Sequence, residues 1–135
     1  MKVKGEKRSA SRIFVIHKHE ARHLHYDLRL EMDGVLKSWA VPKEPPSDEG
    51  VKRLAIQVED HDKGYKDFEG IIPEGNYGAG RVQIWDKGNY IPIKSEKNEF
   101  IFDLKGKRLK GVYCLIKLKP KTAQDKNWLF FKKKI

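Results

Sequence analysis

Four of the five histidines in this sequence lie within nine residues, at positions 17, 19, 23 and 25. In an extended strand alternate side chains share a face, so His25, Asp27 and Arg29 would form a row of an imidazole, a carboxylate and a guanidinium. A predicted turn at 20–22 could fold His19 back over that row. Two imidazoles and one carboxylate suit Mn²⁺, Fe²⁺ or Zn²⁺, and three protein ligands leave positions for water and substrate oxygens. The segment therefore predicts a divalent-metal site beside an arginine whose fork matches two phosphate oxygens.

A second row of polar residues is predicted on the strand that ends at residue 61. By alternation Arg53, Gln57, Glu59 and His61 share one face of that strand, and the apolar residues between them face the other way. A histidine at a strand end beside a phosphate site could donate a proton to a leaving alkoxide. Glu59 could orient a metal ligand or a basic residue. The alternative interpretation is a set of ordinary solvent-exposed strand residues.

Other residues near these two strands could complete a phosphate pocket. Lys43 follows a predicted strand and could neutralise phosphate charge, and Tyr65 follows His61 closely enough to line the same pocket. The glycine-rich stretch at 73–80 lacks the Gly-Lys-Ser/Thr ending of a nucleotide-binding P-loop, and no helical pattern follows it. We interpret it as a tight turn between strands. The three tryptophans could stack bases, but their places in strand patterns favour the core.

Basic residues dominate the charge of this chain of 135 residues. Lys and Arg number 29 against 19 Asp and Glu, which gives a formal net charge of +10. That sign favours polyanionic partners, of which nucleic acid comes first, ahead of an acidic membrane surface or an acidic protein. The hydrophobic fraction of 39% is sufficient for the core of one domain, so a wholly disordered chain is excluded.

Cysteine content and apolar run lengths indicate where such a protein would reside. The single cysteine, Cys114, can form no intramolecular disulfide, and no Cys-x-x-Cys zinc motif exists. No apolar run approaches the roughly 20 residues that span a bilayer, and the basic N-terminus lacks the apolar stretch of a signal peptide. We therefore expect a cytoplasmic monomer with no membrane partner.

Hydrophobic alternation predicts an all-β fold. Strand patterns occur at 24–32, 35–41, 54–58, 81–86, 90–93, 100–104, 112–118 and 128–133, and Asp33-Gly34 supplies a hairpin turn. Seven or eight short strands favour a small antiparallel β-barrel with at most short helical turns, one of them at 121–126. Residues 1–13 are predicted to form a flexible basic arm, so a single domain would cover 14–135.

Five segments carry a family resemblance in a fixed order. They are KHEARHLHYDLRLE at 18–31, LKSWAVPK at 36–43, KRLA at 52–55, VEDH at 58–61 and FEGIIPEGNYGAG at 68–80. Together they resemble the 3′-phosphoesterase domain of bacterial DNA ligase D and its free-standing archaeal relatives. The resemblance covers about residues 14–135, and its specific motifs lie in the first half of the chain.

The resemblance implies a Mn²⁺-dependent enzyme that heals nucleic-acid 3′ ends during DNA repair by end joining. It would remove a 3′-terminal ribonucleoside from a primer strand and then remove the 3′-phosphate to leave a 3′-OH. Carried over by position, the metal ligands would be His19, His25 and Asp27, with Zn²⁺ or another divalent transition metal possible in the same site. His61 and Arg29 would engage the scissile phosphate. The other pocket residues implied are Lys43, Arg53, Glu59 and Tyr65.

The family pattern assigns no role to His17 or His23, which we interpret as bystanders. The expected substrate is a primer–template with a 3′-ribonucleotide or 3′-phosphate end, and separate ligase and polymerase subunits are expected partners. Two alternatives stay open from the residues. One is a non-catalytic basic barrel that binds single strands. The other is an iron dioxygenase with two histidines and one carboxylate, although that chemistry does not call for so many cationic residues.

Overall fold

Nine strands and one short helix make up the part of the chain that the computed structural model describes, residues 11–134. Residues 1–10 of the flexible arm predicted at 1–13 lie outside the described residues. Residues 12 and 13 of the same segment belong to the first strand. The 3₁₀ helix spans Lys63–Asp67. The strands are β1 (Arg12–Glu20), β2 (Leu24–Met32), β3 (Val35–Val41), β4 (Lys52–Asp62), β5 (Gly70–Ile72), β6 (Gly80–Glu96), β7 (Glu99–Lys105), β8 (Lys110–Lys117) and β9 (Asn127–Lys132).

Eight of these strands close into an antiparallel barrel, as the hydrophobic alternation predicted. The order around the barrel is β1-β2-β3-β4-β9-β8-β7-β6, and β6 returns to pair with β1. The short strand β5 is a ninth strand that pairs with the beginning of β6. The predicted helical turn at 121–126 is a hydrogen-bonded turn in which the Asp125 amide donates to the Thr122 carbonyl. No helix in residues 11–134 is long and apolar enough to cross a membrane.

The hairpin of β2 and β3 follows from the turn between them. Asp33 and Gly34 both have positive φ, 55° and 81°, as a two-residue type I′ hairpin turn requires. The turn fixes a register in which Arg29 lies opposite Ser38 and Asp27 lies opposite Ala40. Because side chains alternate along a strand, this register decides which face of β2 is buried in the barrel.

Strand β6 joins two segments that the sequence pattern predicted as separate strands, at 81–86 and 90–93. Lys87, Gly88 and Asn89 pair with β1 without a break between the two segments, and pairing with β7 begins at Asn89. A Cβ atom at Gly88 would lie 2.2 Å from the Lys105 carbonyl oxygen, so only glycine allows this approach. The Lys-Gly-Asn segment therefore lies inside one long strand, in close contact with β7.

The barrel interior takes one set of alternate residues from β1 and β2. Phe14 and Ile16 of β1 and Leu28 and Leu30 of β2 are fully buried in the core, with Trp39 from β3. The second set of alternate residues is polar throughout β2 and, on β1, contains Ile13 and Val15 followed by His17 and His19. The sequence therefore directs its apolar face inward and its chemically capable face to the outside of the barrel wall.

Candidate active site

The β1–β2 hairpin brings the histidines of one strand opposite the polar row of the other. His19 pairs with His25, and His17 pairs with Asp27. The predicted return of His19 over the His25 and Asp27 face is confirmed. Residues that pair directly across antiparallel strands have neighbouring Cβ atoms, so the hairpin register alone makes these side chains neighbours.

Three of the neighbouring side chains form a cluster with the composition of a metal site. Nitrogen atoms of His19 and His25 and an oxygen of Asp27 all lie within 4.8 Å of one another. The Asp27 Oδ2 atom is 3.6 Å from His19 Nδ1 and 3.4 Å from His25 Nε2. These are the three residues that the sequence predicted as ligands, and the structure brings them together.

The outer nitrogen of each imidazole is held by a backbone carbonyl. His19 Nε2 lies 2.7 Å from the Gly78 carbonyl oxygen, and His25 Nδ1 lies 3.0 Å from the His23 carbonyl oxygen. Since a carbonyl only accepts, each outer nitrogen carries the proton, and the inner nitrogen presents its lone pair toward Asp27. Two lone pairs and a carboxylate facing one another require a cation or a proton between them. This arrangement fits a divalent transition metal, whose histidine ligands usually donate their other N–H in this way.

Electrostatics keep the carboxylate of this cluster charged. Burial raises the pKa of Asp27, but the neighbouring imidazoles of His19 and His25 and the positive charge of Arg29 outweigh it, and the net pKa is well below the ordinary value. The neighbouring Asp27 carboxylate raises the pKa of His25, although burial opposes it. The cluster therefore attracts positive charge, whether as protons or as a metal ion.

Arg29 is a buried guanidinium that contacts four polar side chains. Its side chain is 4% exposed. Nε donates to His17 Nδ1 at 3.0 Å, Nη1 donates to Ser38 Oγ at 2.9 Å and to His61 Nδ1 at 3.0 Å, and Nη2 donates to Asp27 Oδ2 at 3.3 Å. A guanidinium has five N–H donors, so one N–H on Nη2 is left for a substrate oxygen. The sequence predicted that the Arg29 guanidinium binds two phosphate oxygens. Binding the second oxygen would require Arg29 to give up one of these four hydrogen-bond partners.

His17 belongs to this network, so its interpretation as a bystander is wrong. The side chain is fully buried. Burial and the nearby Arg29 charge lower the pKa of His17 to about 4, so the ring is neutral near pH 7. Nδ1 accepts from Arg29, and Nε2 donates to the Phe68 carbonyl at 3.1 Å. The signal was present in the sequence, since His17 and His19 are alternate residues of one strand. The His23 side chain, in contrast, is exposed.

His61 faces the same guanidinium from β4. Its Nδ1 also lies 3.2 Å from the Glu59 carbonyl oxygen, but Arg29 is always a donor, so Nδ1 accepts and Nε2 carries the proton. Burial and the charge of Arg29 lower the pKa of His61, which favours this neutral form. Tyr65, in the 3₁₀ helix, lies with its ring 4.9 Å from the Arg29 guanidinium carbon and 4.8 Å from the His61 ring. The Tyr65 ring therefore packs against both the Arg29 guanidinium and the His61 imidazole.

A cavity of about 460 Å³ opens onto these groups. Its walls include the candidate metal ligands His19, His25 and Asp27, together with Arg29, Glu59 and His61. Lys43, Arg53 and Tyr65 are not among the lining residues. Six of the nine predicted site residues thus share one cavity, and Tyr65 packs directly against two of them.

A bulge in β4 separates Arg53 from His61. Ser38 of β3 pairs with Val58, but Leu36, two residues earlier, pairs with His61, three residues later, so β4 carries an extra residue. Such an insertion reverses which alternate residues face a given side. The prediction that Arg53 and His61 share a face is therefore wrong. Arg53 Nε instead donates to the backbone carbonyl of Glu44 at 2.7 Å, beside the exposed Lys43.

Comparison with known proteins identifies the family of this chain. The model of the DNA ligase D 3′-phosphoesterase domain matches residues 17–117. The chain belongs to this family. The multifunctional non-homologous end joining protein LigD of Pseudomonas aeruginosa is 49% identical over 126 residues, which cover 90% of this chain and 15% of the relative.

Two mycobacterial relatives extend the comparison. The non-homologous end joining DNA repair protein LigD of Mycobacterium tuberculosis is 53% identical over 108 residues, 77% of this chain and 14% of the relative. The LigD protein of Mycolicibacterium smegmatis is 46% identical over 127 residues, 86% of this chain and 16% of the relative. This chain thus spans only 14–16% of the length of these relatives.

His17 offers a test of how this phosphoesterase domain positions its arginine. We expect His17→Phe to lower kcat by roughly 10-fold and stability by about 1–3 kcal/mol, because the Nε–H of Arg29 and the Phe68 carbonyl lose their partner. His17→Gln retains an acceptor and a donor and should recover most of both losses. Urea unfolding measures stability, and an unchanged Mn²⁺ affinity in both variants would confirm a role through Arg29. Equal kcat in His17→Phe and wild type would contradict that role.

Proposed function

We propose that this chain is a Mn²⁺-dependent 3′-phosphoesterase that heals nucleic-acid 3′ ends. As a phosphodiesterase it removes a 3′-terminal ribonucleoside, and as a phosphomonoesterase it then removes the 3′-phosphate to leave a 3′-OH. The substrate is a primer–template end of the kind that arises in DNA repair by non-homologous end joining, the process named for its relatives. The same metal site accepts Zn²⁺ or another divalent transition metal.

One observation carries this proposal. The lone pairs of His19 and His25 converge on Asp27, and Arg29 donates to the same Asp27 oxygen from the other side. A cation site and a guanidinium thus share one carboxylate at the wall of one cavity. A phosphate group is the substrate part that both would bind, because each contacts anionic oxygens.

Each side chain around the cavity has a separate role toward a bound phosphate. His19, His25 and Asp27 would hold Mn²⁺, which would supply Lewis-acid chemistry toward a phosphate oxygen and a nucleophile. Arg29 offers its remaining Nη2–H to a second oxygen and stabilises charge that develops there. His61, neutral with its proton on Nε2, donates a hydrogen bond to the leaving oxygen. Asp27 and His17 hold Arg29 in place.

The family resemblance also implies roles for Glu59, Lys43, Arg53 and Tyr65. Their positions indicate that these four residues support the central site. Glu59 lines the cavity and is exposed, so its carboxylate is accessible to a substrate or to a basic residue. Lys43 and Arg53 lie outside the cavity walls and would assist by attracting the phosphates of the approaching strand. Tyr65 maintains the orientation of Arg29 and His61 by packing against both.

A labelled primer–template with one 3′-terminal ribonucleotide tests the proposal. With Mn²⁺ we expect a primer shortened by one nucleoside with a 3′-phosphate, followed by a 3′-OH product, and with EDTA we expect no change. A primer end that stays intact under both conditions would show that the enzyme proposal is wrong. Retained strand binding without product would then favour the non-catalytic basic barrel.

Two histidine variants in the same hairpin sharpen this experiment. His25→Ala removes a proposed ligand and should abolish both Mn²⁺ binding and cleavage. His23→Ala is the comparison variant, because the exposed His23 side chain lines the same cavity but does not belong to the proposed ligand set. Full metal content and activity in His25→Ala would remove this residue from the ligand set. Ligation and polymerisation after healing are left to other domains or to separate ligase and polymerase partners.

A further inference from the structure

The loop at residues 73–80 presents one large aromatic side chain to solvent. Tyr77 is 99% exposed, whereas the tyrosines of the barrel wall, Tyr26, Tyr90 and Tyr113, are buried. Tyr77 lies at the edge of the catalytic cavity and also lines the adjoining groove, which contains Lys37 and Lys126. Neither face of this ring is used to pack the protein, so the ring is available to a ligand.

The loop is held in a defined position relative to the metal cluster. The Asn76 amide donates to the Pro73 carbonyl at 3.3 Å, its side chain donates to the same carbonyl at 3.2 Å, and the Ala79 amide donates to the Asn76 carbonyl at 3.1 Å. The Gly78 carbonyl accepts from His19 Nε2. The residue directly after Tyr77 is thus hydrogen-bonded to a candidate metal ligand, so the backbone that carries the Tyr77 ring is held beside the candidate metal cluster.

The chemistry of a strand end determines which base can use this ring. Every base within a strand is already stacked on both faces by its neighbours. The base of the last nucleoside has one free face, and a protein aromatic ring can cover it with a favourable stacking contact. In the proposed reaction that nucleoside carries the leaving oxygen, to which His61 would donate a hydrogen bond.

Resting on the function proposed above, we propose that Tyr77 stacks on the base of the 3′-terminal nucleoside and makes its removal dependent on the presence of that base. The contact involves a π-face, which all four bases share, so it selects for a terminal nucleoside without selecting its sequence. The phosphomonoesterase step lacks this contact, because the terminal nucleoside has already left. Tyr77 is therefore a specificity residue of the diesterase step alone.

Paired substrates and paired variants test this inference in the full chain. Ends with a normal 3′-terminal ribonucleotide, ends whose terminal ribose lacks its base, and ends with a 3′-phosphate are each assayed with Mn²⁺. Tyr77→Leu keeps an apolar side chain without a π-face, and Tyr77→Phe keeps the ring. We expect Tyr77→Leu to lower kcat/KM on the normal end by roughly 5- to 100-fold, the range for loss of one base–aromatic stack. Tyr77→Phe should stay near the wild-type value.

The two other substrates isolate the stacking contact. We expect all variants to process the abasic end and the 3′-phosphate end at rates within about 2-fold of wild type. Wild type itself should process the abasic end less efficiently than the normal end. Ile93→Ala, which truncates an exposed apolar residue on β6, controls for loss of surface hydrophobicity. An equal loss by Tyr77→Leu on all three ends would overturn the inference, since the residue would then support the site as a whole.

A binding measurement gives a readout that does not depend on turnover. A terminal 2-aminopurine fluoresces less when it is stacked, so wild type and Tyr77→Phe in EDTA should change its emission and Tyr77→Leu should not. Unchanged emission with bound wild type would contradict the stacking inference even if the enzyme is active. If wild type cleaves neither the normal nor the abasic end, the proposed function fails and the inference fails with it.

Discussion

Arg29→Lys is expected to lower kcat on a 3′-ribonucleotide end by at least about 100-fold, the scale on which loss of one charge-stabilising donor slows an enzyme. A lysine retains the positive charge, so the expected effect comes from geometry. The guanidinium donates in four directions from three nitrogens, to His17, Ser38, His61 and Asp27. The single ammonium nitrogen of lysine cannot reach all four, and the N–H that faces the substrate is lost with them.

The same change should lower the free energy of unfolding by about 1–3 kcal/mol, because at least one buried partner of Arg29 is left without a hydrogen bond. Single-turnover kinetics measures the chemical step, and urea unfolding measures stability. Arg81→Lys on β6 is the matched control, since Arg81 is exposed. A kcat within 10-fold of wild type would show that charge alone is sufficient at position 29.

Asp27→Asn is expected to weaken Mn²⁺ binding by more than about 100-fold, beyond the loss typical of changes around a metal ligand. The variant keeps the size of the side chain and removes its negative charge. Asp27 Oδ2 is the atom toward which both imidazole lone pairs and the Arg29 Nη2 atom are directed. Its loss leaves three groups with no anionic partner in the cluster, so cleavage should be undetectable.

The stability of the metal-free protein should fall in the same variant. The Asp27 and Arg29 side chains are 8% and 4% exposed and lie 3.3 Å apart. Breaking a buried ion pair by removing one partner costs about 3–5 kcal/mol, because the other charge stays buried. Unfolding in EDTA measures this loss, and the electron paramagnetic resonance signal of free Mn²⁺ measures binding.

A surface ion pair supplies the control for this prediction. Asp103 lies 3.4 Å from Lys105 on β7, and both side chains are at least one-third exposed. Asp103→Asn should change stability by less than about 1 kcal/mol and leave Mn²⁺ binding intact. If Asp27→Asn were as stable and as metal-competent as Asp103→Asn, the proposed ligand role of Asp27 would be wrong.

The candidate metal cluster illustrates how much of a site local sequence can predict. His25, Asp27 and Arg29 share a face because strand periodicity is two, and His19 joins them because a short turn folds one strand back on the next. Both rules act within about ten residues of chain. The same periodicity placed His17 beside Arg29, but its role became visible only with the depth of its burial and the position of the Phe68 carbonyl.

Longer-range features were not predictable in this way. The bulge in β4 depends on how β3 and β4 pair, and it reverses the face on which Arg53 lies relative to His61. The union of 81–86 and 90–93 in β6 depends on a close approach to β7 at Gly88. Neither feature has a local signature, because each is a contact between segments that are distant along the chain.

The sequence by itself determined the fold class, the apolar and polar faces of β2, and the three candidate ligands, because these follow from alternation and turn chemistry within single hairpins. Tertiary structure decided the protonation sites of the histidines, the number of N–H groups that Arg29 has left, and the exposure of Tyr77. Each of these depends on a partner brought from elsewhere in the chain: Gly78 for His19, Phe68 for His17 and His61 for Arg29. Barrel closure supplies those partners, and their positions turn a histidine-rich hairpin into a site suited to phosphate chemistry.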